Sequence, residues 1–468
     1  MLWNGEKGTL TDCVFTNNFI NITNVNNLTF FGGGAVYWKG TSGNLNNCIF
    51  TNNYLNISGV NLSCIGGGAV YWKGTSGNLN NCIFTNNYCI LNGFLLNEWG
   101  GGAVYWNGAN SNMSDCNFIS NFVTYTSSIS GGAVYWSQYA NNGRLFNCNF
   151  IDNNATEGAG ITWSGANGTL IDSTFIGNNA SGTGGGVRWN GANGTLSKSH
   201  FTNNVANRFG GGVYWSGANG TLTSCNFINN TAYNGAAVRW TVSNGVLSNS
   251  TFIGNGAIGN GGAISWLATD GILSNSIFTS NYADVGGGIY FDRNNCTVTG
   301  CVFTNNYAKG NYNGPTNGKG GAIYWGGANG VLSNSTFIDN IAKINGGAVC
   351  WSATNSSISN CNFTGNNAIN GDNVYWTWTV EEFLKKYEQI NDYDYVYIQN
   401  GIGTPSKTII LNKKGITISS SSPNNVIFDA KGGNLHFEVT GNDILIENLS
   451  FRNFNFTGYG GALLWSGN

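Results

Sequence analysis

Residues 32–54 read GGGAVYWKGTSGNLNNCIFTNNY, and residues 66–88 repeat the same letters without a single change. A chain that repeats itself in this way folds when each copy has to match only its neighbours, which is the property of a solenoid. The order of residues inside this repeat is therefore the evidence on which the fold prediction depends.

The repeat covers most of the chain and has one fixed half and one variable half. A Trp, or Phe in one copy, ends each AVYW-like run. From Trp3 to Trp351, another Phe follows 12 residues later in every copy except one, where Phe150 follows Trp136 by 14. From that Phe to the next Trp the distance ranges from 13 to 23 residues. Nearly all the length variation therefore enters at one corner of the repeat.

Short apolar runs separated by Gly and Asn are typical of short strands joined by turns. About three such strands in a period of about 25 residues predict an all-β fold, the parallel β-helix, whose coils stack at about 4.8 Å. The same position then meets itself in each neighbouring coil, so we expect ladders of identical side chains. The expected ladders are Asn18, Asn53, Asn87 and Asn121; Phe15, Phe50, Phe84 and Phe118; and Cys48, Cys82 and Cys116.

The sequence contains 12 Cys and 2 His, and it has no Cys-x-x-Cys pair. Eight of the Cys lie two residues before the repeat Phe, where other copies have Ser. A position that accepts either residue predicts free thiols that face inward, and neither a metal site nor a cofactor is expected. For Cys64 and Cys89, in the long corner segments, a disulfide between the two is the alternative.

Two positions of the AVYW run each admit two interpretations. Alternation puts the Trp on the same face as the aliphatic residue two before it, which favours a buried Trp stack; an exposed Trp stripe that stacks on sugar rings is the alternative. The position between them varies, which predicts that it faces solvent, either as plain cross-strand packing or as a contact surface. Its candidate contact residues are Tyr37, Tyr71, Tyr105, Tyr135, Arg188, Tyr214 and Arg239.

The long corner segments all leave the repeat at the same corner, so they are expected to stack into a wall. These segments are 19–31, 54–65, 88–99, 122–130 and 308–319. Loops held by a rigid scaffold often carry binding sites, and Phe94 and Trp99 are the candidate contact residues here. The alternative is that the wall only packs over the sheet beneath it.

Composition excludes some partners and suggests a change near residue 376. Only 9% of residues are charged and the net charge is −2, so the chain has no basic field for nucleic acid. It has no apolar stretch long enough for a transmembrane span and no visible signal peptide.

Thr379 and Glu382 fit a capping box, which predicts a short helical capping segment near 379–390.

We therefore predict a β-helix repeat domain at 1–376, followed at 377–468 by a helix cap and the start of a second β-helix. The chain begins and stops within a coil of the repeat, so the first domain is expected to be incomplete at its N-terminus and the second at its C-terminus.

The unit GGAVYWSGANGTL, followed by Cys or Ser, Phe and NNA, resembles the repeats of adhesin-like surface proteins of methanogenic archaea. The pattern GGA[VI] followed by FxxN is also similar to the repeats of chlamydial polymorphic outer-membrane proteins. The resemblance covers nearly the whole chain. It implies a right-handed, pectin-lyase-like β-helix and an extracellular or cell-surface location. It also implies non-catalytic attachment, with glycans or cell-surface proteins as partners.

Two other functions stay open. Parallel β-helices also host polysaccharide-degrading lyases and glycoside hydrolases, whose sites gather carboxylates from adjacent coils. The nearest approach to such a cluster is Asp152, Glu157 and Asp172, and then Asp284 and Asp292, but Asp152 and Asp172 belong to different turns. The other function is that of a purely structural cell-envelope spacer, which a smooth polar exterior with buried Trp would favour.

Overall fold

Each coil of the chain contributes one strand to each of several parallel sheets, so the chain is a parallel β-helix, as predicted. The computed structural model describes residues 1–27, 29–125, 130–310, 318–458 and 460–467, with the backbone alone at 60–64, 93–99 and 125. Contacts divide the chain into two units, residues 1–257 with 263–268 and residues 258–262 with 269–468.

The first unit has four sheets, three of which we name after the residue that their strands bury. The tryptophan sheet contains Leu2–Trp3, Val36–Trp38, Val70–Trp72, Val104–Trp106, Val134–Trp136, Ile161–Trp163, Val187–Trp189, Val213–Trp215, Val238–Trp240 and Ile264–Trp266. The leucine sheet contains Thr9–Thr11, Asn44–Asn46, Asn78–Asn80, Asn112–Ser114, Arg144–Phe146, Thr169–Ile171, Thr195–Ser197, Thr221–Thr223 and Val246–Ser248.

The other two sheets complete each coil of the first unit. The phenylalanine sheet contains Val14–Thr16, Ile49–Thr51, Ile83–Thr85, Asn117–Ile119, Asn149–Ile151, Thr174–Ile176, His200–Thr202, Asn226–Ile228 and Thr251–Ile253. The corner sheet, at the variable corner, contains Phe19–Asn26, Thr29–Gly33, Tyr54–Gly67, Tyr88–Gly101, Phe122–Tyr125, Asn154–Glu157, Asn179–Thr183, Val205–Phe209, Thr231–Asn234 and Gly256–Ala257.

The Trp-x-Gly-x-x-Gly spacing of the repeat follows from how the indole packs. Val187 and Trp189 are both fully buried, as alternation along a strand requires. The indole Nε1 of Trp189 donates to the carbonyl of Gly191 at 3.1 Å and so closes the turn. Gly194 lies against the indole, where a Cβ would overlap the ring. The second Gly of the motif is therefore required by packing.

Stacked rings fill the interior of the first unit. Neighbouring Trp rings lie 4.4 to 5.2 Å apart between centroids, and neighbouring Phe rings lie 4.7 to 5.0 Å apart. The Trp side chains from Trp38 to Trp266 are fully buried. The predicted buried Trp stack is therefore confirmed, and the alternative of an exposed Trp stripe is wrong.

A row of buried Asn closes the turn between the phenylalanine sheet and the corner sheet. The backbone N–H and the Nδ2 of Asn153 donate to Oδ1 of Asn178 at 3.1 and 2.9 Å. The Nδ2 of Asn178 in turn donates to the carbonyl of Phe150 at 2.9 Å and to Oδ1 of Asn204 at 2.9 Å. Each amide therefore satisfies backbone groups that the turn would otherwise leave unpaired.

The second unit repeats the same coil. Its tryptophan sheet contains Ile289–Phe291, Ile323–Trp325, Val349–Trp351, Val374–Trp378, Tyr395–Ile398, Thr417–Ser419 and Leu445–Glu447. Its leucine strands are Ile272–Ser274, Thr297–Thr299, Val331–Ser333 and Ser357–Ser359, and its phenylalanine strands are Ile277–Thr279, Val302–Thr304, Thr336–Ile338 and Asn362–Thr364. Its corner strands are Tyr282–Ala283, Tyr307–Ala308 and Ile341–Ala342. Two three-stranded sheets follow, made of Gly401–Gly403, Val426–Asp429 and Ser450–Arg452, and of Ile409–Leu411, Phe437–Val439 and Leu463–Trp465.

Helix α1, Val380–Lys386, interrupts the coils of the second unit and is followed by a 3₁₀ turn, Tyr387–Gln389. The hydroxyl of Thr379 accepts from the N–H of Glu382 at 3.1 Å, and the Glu382 carboxylate accepts from the N–H of Thr379 at 3.1 Å. This capping box confirms the helical segment predicted near 379–390. Neither helical segment in the described part of the chain has the length and apolar character needed to cross a membrane.

The strands on either side of α1 belong to the same sheet. Trp376 pairs in parallel with Val396, so the tryptophan sheet of the second unit extends beyond residue 376. The division into a domain at 1–376 and another at 377–468 stays a prediction.

Candidate functional site

The first coils carry the longest corner strands, and these form a second layer on the first unit. Strands Tyr54–Gly67 and Tyr88–Gly101 pair in parallel from Tyr54 opposite Tyr88 to Gly67 opposite Gly101. Phe19–Asn26 pairs with the first of these strands, and Phe122–Tyr125 pairs with the second. The predicted stacking of these corner segments into a wall is therefore confirmed. Residues 126–129 and 311–317, in the other predicted corner segments, lie outside the described residues.

Alternation along the strands gives the corner sheet two different faces. Its inner face carries a buried apolar cluster of Leu55, Ile57, Cys89, Leu91 and Val123. Burial of each of the four aliphatic side chains contributes roughly 1.5–3 kcal/mol to the stability of the layer. The corner sheet is therefore held by an apolar core of its own.

The predicted surface tyrosines of the first coils lie beneath this layer. Tyr71, Tyr105 and Tyr135 are only 2%, 1% and 4% exposed and pack together, with Tyr37 and Ile65 against them. The prediction that this position faces solvent is wrong for these three residues, because the corner sheet that contains Ile65 covers them. Burial raises the pKa of all three phenols.

At Arg188, Tyr214 and Arg239, in three coils with short corners, the same position is partly exposed and has local partners, whereas Thr162 and Ser265 at this position are buried. Arg188 forms an ion pair and a hydrogen bond with the Glu157 carboxylate. The guanidinium carbon of Arg239 lies 3.8 Å from the centroid of the Phe209 ring, which is a cation–π contact. Tyr214 lies beside Arg188, whose guanidinium carbon is 5.5 Å from the Tyr214 ring centroid. These residues therefore support the scaffold, and their predicted contact role stays a prediction.

The two other candidate contact residues, Phe94 and Trp99, belong to strand Tyr88–Gly101, but their side chains lie outside the described residues. Their role stays a prediction. The side chain of Cys64 is also outside the described residues, so the disulfide with Cys89 is not tested.

The ladder residues of the first coils lie in rows across the coils. Each Asn Nδ2 donates to the next Oδ1 at 2.8 to 3.1 Å along Asn18, Asn53, Asn87 and Asn121. The rings of Phe15, Phe50, Phe84 and Phe118 stack at 4.7 to 4.8 Å. Cys48, Cys82 and Cys116 are buried free thiols, and the Sγ of Cys82 and Cys116 accept backbone N–H groups at 3.3 and 3.4 Å.

The outer face of the corner sheet carries an aromatic column that was not predicted from the sequence. The column consists of Phe19, Tyr54, Tyr88 and Phe122, the first residues of their strands. Their ring centroids are 4.8 to 5.0 Å apart and neighbouring planes differ by 4 to 6°. A signal for the column exists in the sequence, because each member directly follows the Asn of the FxxN motif. The next coils have Asn154, Asn179 and Val205 at this place.

The column lines an open groove of ≈ 540 Å³ together with Asn17, Asn52 and Asn86. These three Asn are exposed turn residues with φ of 54 to 56°, a conformation that Asn tolerates well. Beyond the column, the Nδ2 of Asn56 donates to Oδ1 of Asn21 at 2.9 Å. We call this groove, with its aromatic column, the aromatic groove.

The acidic residues considered for catalysis are dispersed or engaged. Asp152 and Asp172 are exposed turn residues that precede different strands, and Glu157 is paired with Arg188. Among the residues that the structure describes, no group of three or more His, Cys, Asp and Glu side chains could hold a metal ion.

Together, the coils and the corner sheet define a parallel β-helix with one elaborated corner. A family model described as a right-handed β-helix region matches residues 185–313. A comparison with curated proteins found no match.

Several solved structures are similar at low identity. Two mutants of the tailspike protein of E. coli bacteriophage HK620, each in complex with a pentasaccharide, share 13% identity over 93% of this chain and 72% of theirs, with TM-scores of 0.26 and 0.24. A TibC-catalysed, hyper-glycosylated TibA fragment shares 10% identity over 98% of this chain and 99% of its own, with a TM-score of 0.19.

Proposed function

We propose that this protein is a non-catalytic attachment protein, displayed at the cell surface or outside the cell, that contacts glycans or cell-surface proteins through its corner sheet. One observation carries the proposal: the interior rows stay the same from coil to coil, whereas the corner is lengthened in consecutive coils into a separate layer. Insertions that share one place on a rigid scaffold are where binding commonly resides.

The outer face of the corner sheet supports this proposal. A layer whose only role was to cover Tyr71, Tyr105 and Tyr135 would need an apolar inner face alone. The corner sheet also places a column of four aromatic rings beside an open groove on its other side. Contiguous aromatic groups of this kind on a surface mark contact sites more often than isolated ones do.

The resemblance of the repeat to adhesin-like surface proteins of methanogenic archaea, and to chlamydial polymorphic outer-membrane protein repeats, supports the same function. We also propose that residues 377–468 begin a second β-helix, with α1 as its cap.

A structural cell-envelope spacer is the second candidate function, and the buried Trp row is the observation that favours it.

The test compares the full chain with a shortened variant, in which the corner strands Tyr54–Gly67 and Tyr88–Gly101 are each replaced by the short corner strand Thr231–Asn234, so that Tyr54 and Tyr88 are also removed. Because shortening would uncover the tyrosines below, the variant also carries Tyr71→Ser and Tyr105→Ser. Serine is chosen because a short-corner coil has Ser265 at this position. Binding is measured on a glycan array and on a panel of whole cells.

A matched control carries Ile49→Ser and Ile83→Ser, which lie on the phenylalanine sheet of the same coils and are 39% and 38% exposed. We expect the full chain and the control to bind and the shortened variant to lose binding while it keeps its circular dichroism spectrum. The proposal is wrong if the folded full chain binds nothing, or if the shortened variant binds equally well.

A further inference from the structure

We propose that the aromatic groove binds a linear, uncharged polysaccharide that lies along the aromatic column. This inference rests on the proposed attachment function and gives its ligand a chemical class. It depends on three properties of the groove: the spacing of its rings, the amides on both sides of them, and its lack of charge.

The rings of the column are arranged to leave apolar surface uncovered. Tyr54 and Tyr88 are nearly parallel, with ring centroids 4.8 Å apart. Phe19 is 58% exposed, and Tyr54, Tyr88 and Phe122 are partly exposed, so the column presents apolar ring surface to the groove. A strip of this kind, repeated once per coil, suits the C–H face of successive sugar rings.

Amide side chains border the column on both sides. Asn17, Asn52 and Asn86 line the groove on one side, and Asn21 and Asn56 follow the column on the other side in the first two coils, where the third coil has Ile90. An amide both donates and accepts hydrogen bonds, as does a sugar hydroxyl. The groove therefore offers an apolar strip to the middle of a sugar ring and polar groups to its rim.

The lining of the groove is uncharged. Every residue that lines it is Phe, Tyr or Asn, so no described side chain in the lining can neutralise a carboxylate, a sulfate or a phosphate. Burying a charge without a partner is costly, which disfavours an anionic polysaccharide. Because the column spans four coils, a polymer uses all its rings, whereas a monosaccharide would contact only one or two.

The test is affinity electrophoresis of the full chain in gels that contain galactomannan or hydroxyethylcellulose as neutral probes, or polygalacturonate as the anionic probe. We expect retardation by at least one neutral polymer. Tyr54→Ala with Tyr88→Ala should weaken this binding by about tenfold or more, because two ring contacts are lost.

Two further variants separate binding from folding. Tyr54→Phe with Tyr88→Phe keeps the stacked rings and should bind neutral polymer within about threefold of the unchanged chain. Ile49→Ala with Ile83→Ala changes exposed residues on another face of the same coils and should bind normally.

The inference is overturned if no neutral polymer retards the chain, if polygalacturonate binds more tightly, or if the double Ala variant binds as well as the unchanged chain. Attachment to cells that requires the corner sheet, without retention by any neutral polymer, would overturn this inference and leave the attachment proposal standing with a protein ligand. Retention by galactomannan without attachment to any cell or arrayed glycan would overturn the attachment proposal and leave the polysaccharide inference standing.

Discussion

The coils with long corners and those with short corners share one interior but differ in their outer layers. In both, Trp, Phe and Asn rows stack at the coil spacing. Under the long corners, Tyr105 is 1% exposed; in the short-corner coils, Tyr214 and Arg239 at the same position remain partly exposed. A corner insertion therefore changes what covers the tryptophan sheet and what faces solvent, while the interior needs no redesign.

The largest effect is expected from the Trp row, and it should be equal in the two kinds of coil. Trp106, under a long corner, and Trp189, in a short-corner coil, are both fully buried and stacked on both sides. Trp106→Ala and Trp189→Ala should each cost about 3–5 kcal/mol of unfolding free energy. Urea unfolding of the full chain, followed by circular dichroism, measures both. A large loss for only one variant would contradict the shared interior.

The next effect should distinguish the two kinds of coil. Tyr105→Ala removes a ring buried under the corner sheet and should cost about 3 kcal/mol, whereas Tyr214→Ala changes a partly exposed ring and should cost less than about 1 kcal/mol. The same urea experiment gives both values. If the two losses were equal, the corner sheet would not bury Tyr105 in solution.

The buried Asn row should again be insensitive to corner length. Asn121→Ala and Asn178→Ala each remove the partner of a buried backbone N–H and of a buried carbonyl, and each should cost about 2 kcal/mol. Asn193→Gly is the matched control, because Asn193 belongs to an exposed amide ladder and has φ of 55°, which Gly adopts without strain, so its loss should cost less than about 0.5 kcal/mol. Thermal unfolding of the three variants tests this order, and a control as unstable as the others would contradict it.

Alkaline pH should reveal the covered tyrosines. Burial is the largest cause that raises the pKa of Tyr105 in the folded chain, and the neighbouring Tyr135 and Tyr71 raise it further. An unfolded Tyr ionises near 10. The folded state keeps a proton that the unfolded state loses, so stability falls as pH rises above about 10, by about 1.4 kcal/mol per pH unit for each such group. Phenolate absorbance of the chain and of Tyr105→Phe measures this. Ionisation of Tyr105 near pH 10 in the folded chain would contradict its burial.

The smallest effect is expected where the coils already interchange Cys and Ser. The Sγ of Cys116 accepts the N–H of Cys82 at 3.4 Å, and in a short-corner coil the hydroxyl of Ser173 at the same position accepts the N–H of Cys148 at 3.1 Å. Cys116→Ser should change the unfolding free energy by less than about 1 kcal/mol and should be tolerated better than Cys116→Ala, which removes the acceptor. Melting temperatures of the two variants test this, and a Ser variant less stable than the Ala variant would refute it.

The fold was predictable because a β-helix repeats its interior in the sequence. The 12-residue spacing from Trp to Phe and the FxxN motif identify the buried rows, since each position meets itself in the next coil. The exposure of the Tyr position was not predictable by the same reasoning. Whether Tyr71 is covered depends on how a corner insertion folds, and the repeated motif contains no information about the conformation of the insertions.

The aromatic column shows the opposite case, a feature that the sequence contains but that the repeat motif does not include. Tyr54 and Tyr88 directly follow the Asn of the FxxN motif, so their stacking is a consequence of the same register that stacks the Asn row. Their place on an open groove depends on the direction in which the corner strands leave the coil, which the spacing alone does not give.

The proposed contact surface, the corner sheet of the long-corner coils, can be located by hydroxyl-radical footprinting. The full chain is compared alone and bound to the cell type that retains it. We predict reduced oxidation at Tyr54, Tyr88 and Phe122, with oxidation of Tyr214 and of the exposed Ile253 unchanged. Protection of Tyr214 or Ile253, with Tyr54 and Tyr88 oxidised as in the free chain, would contradict the proposal.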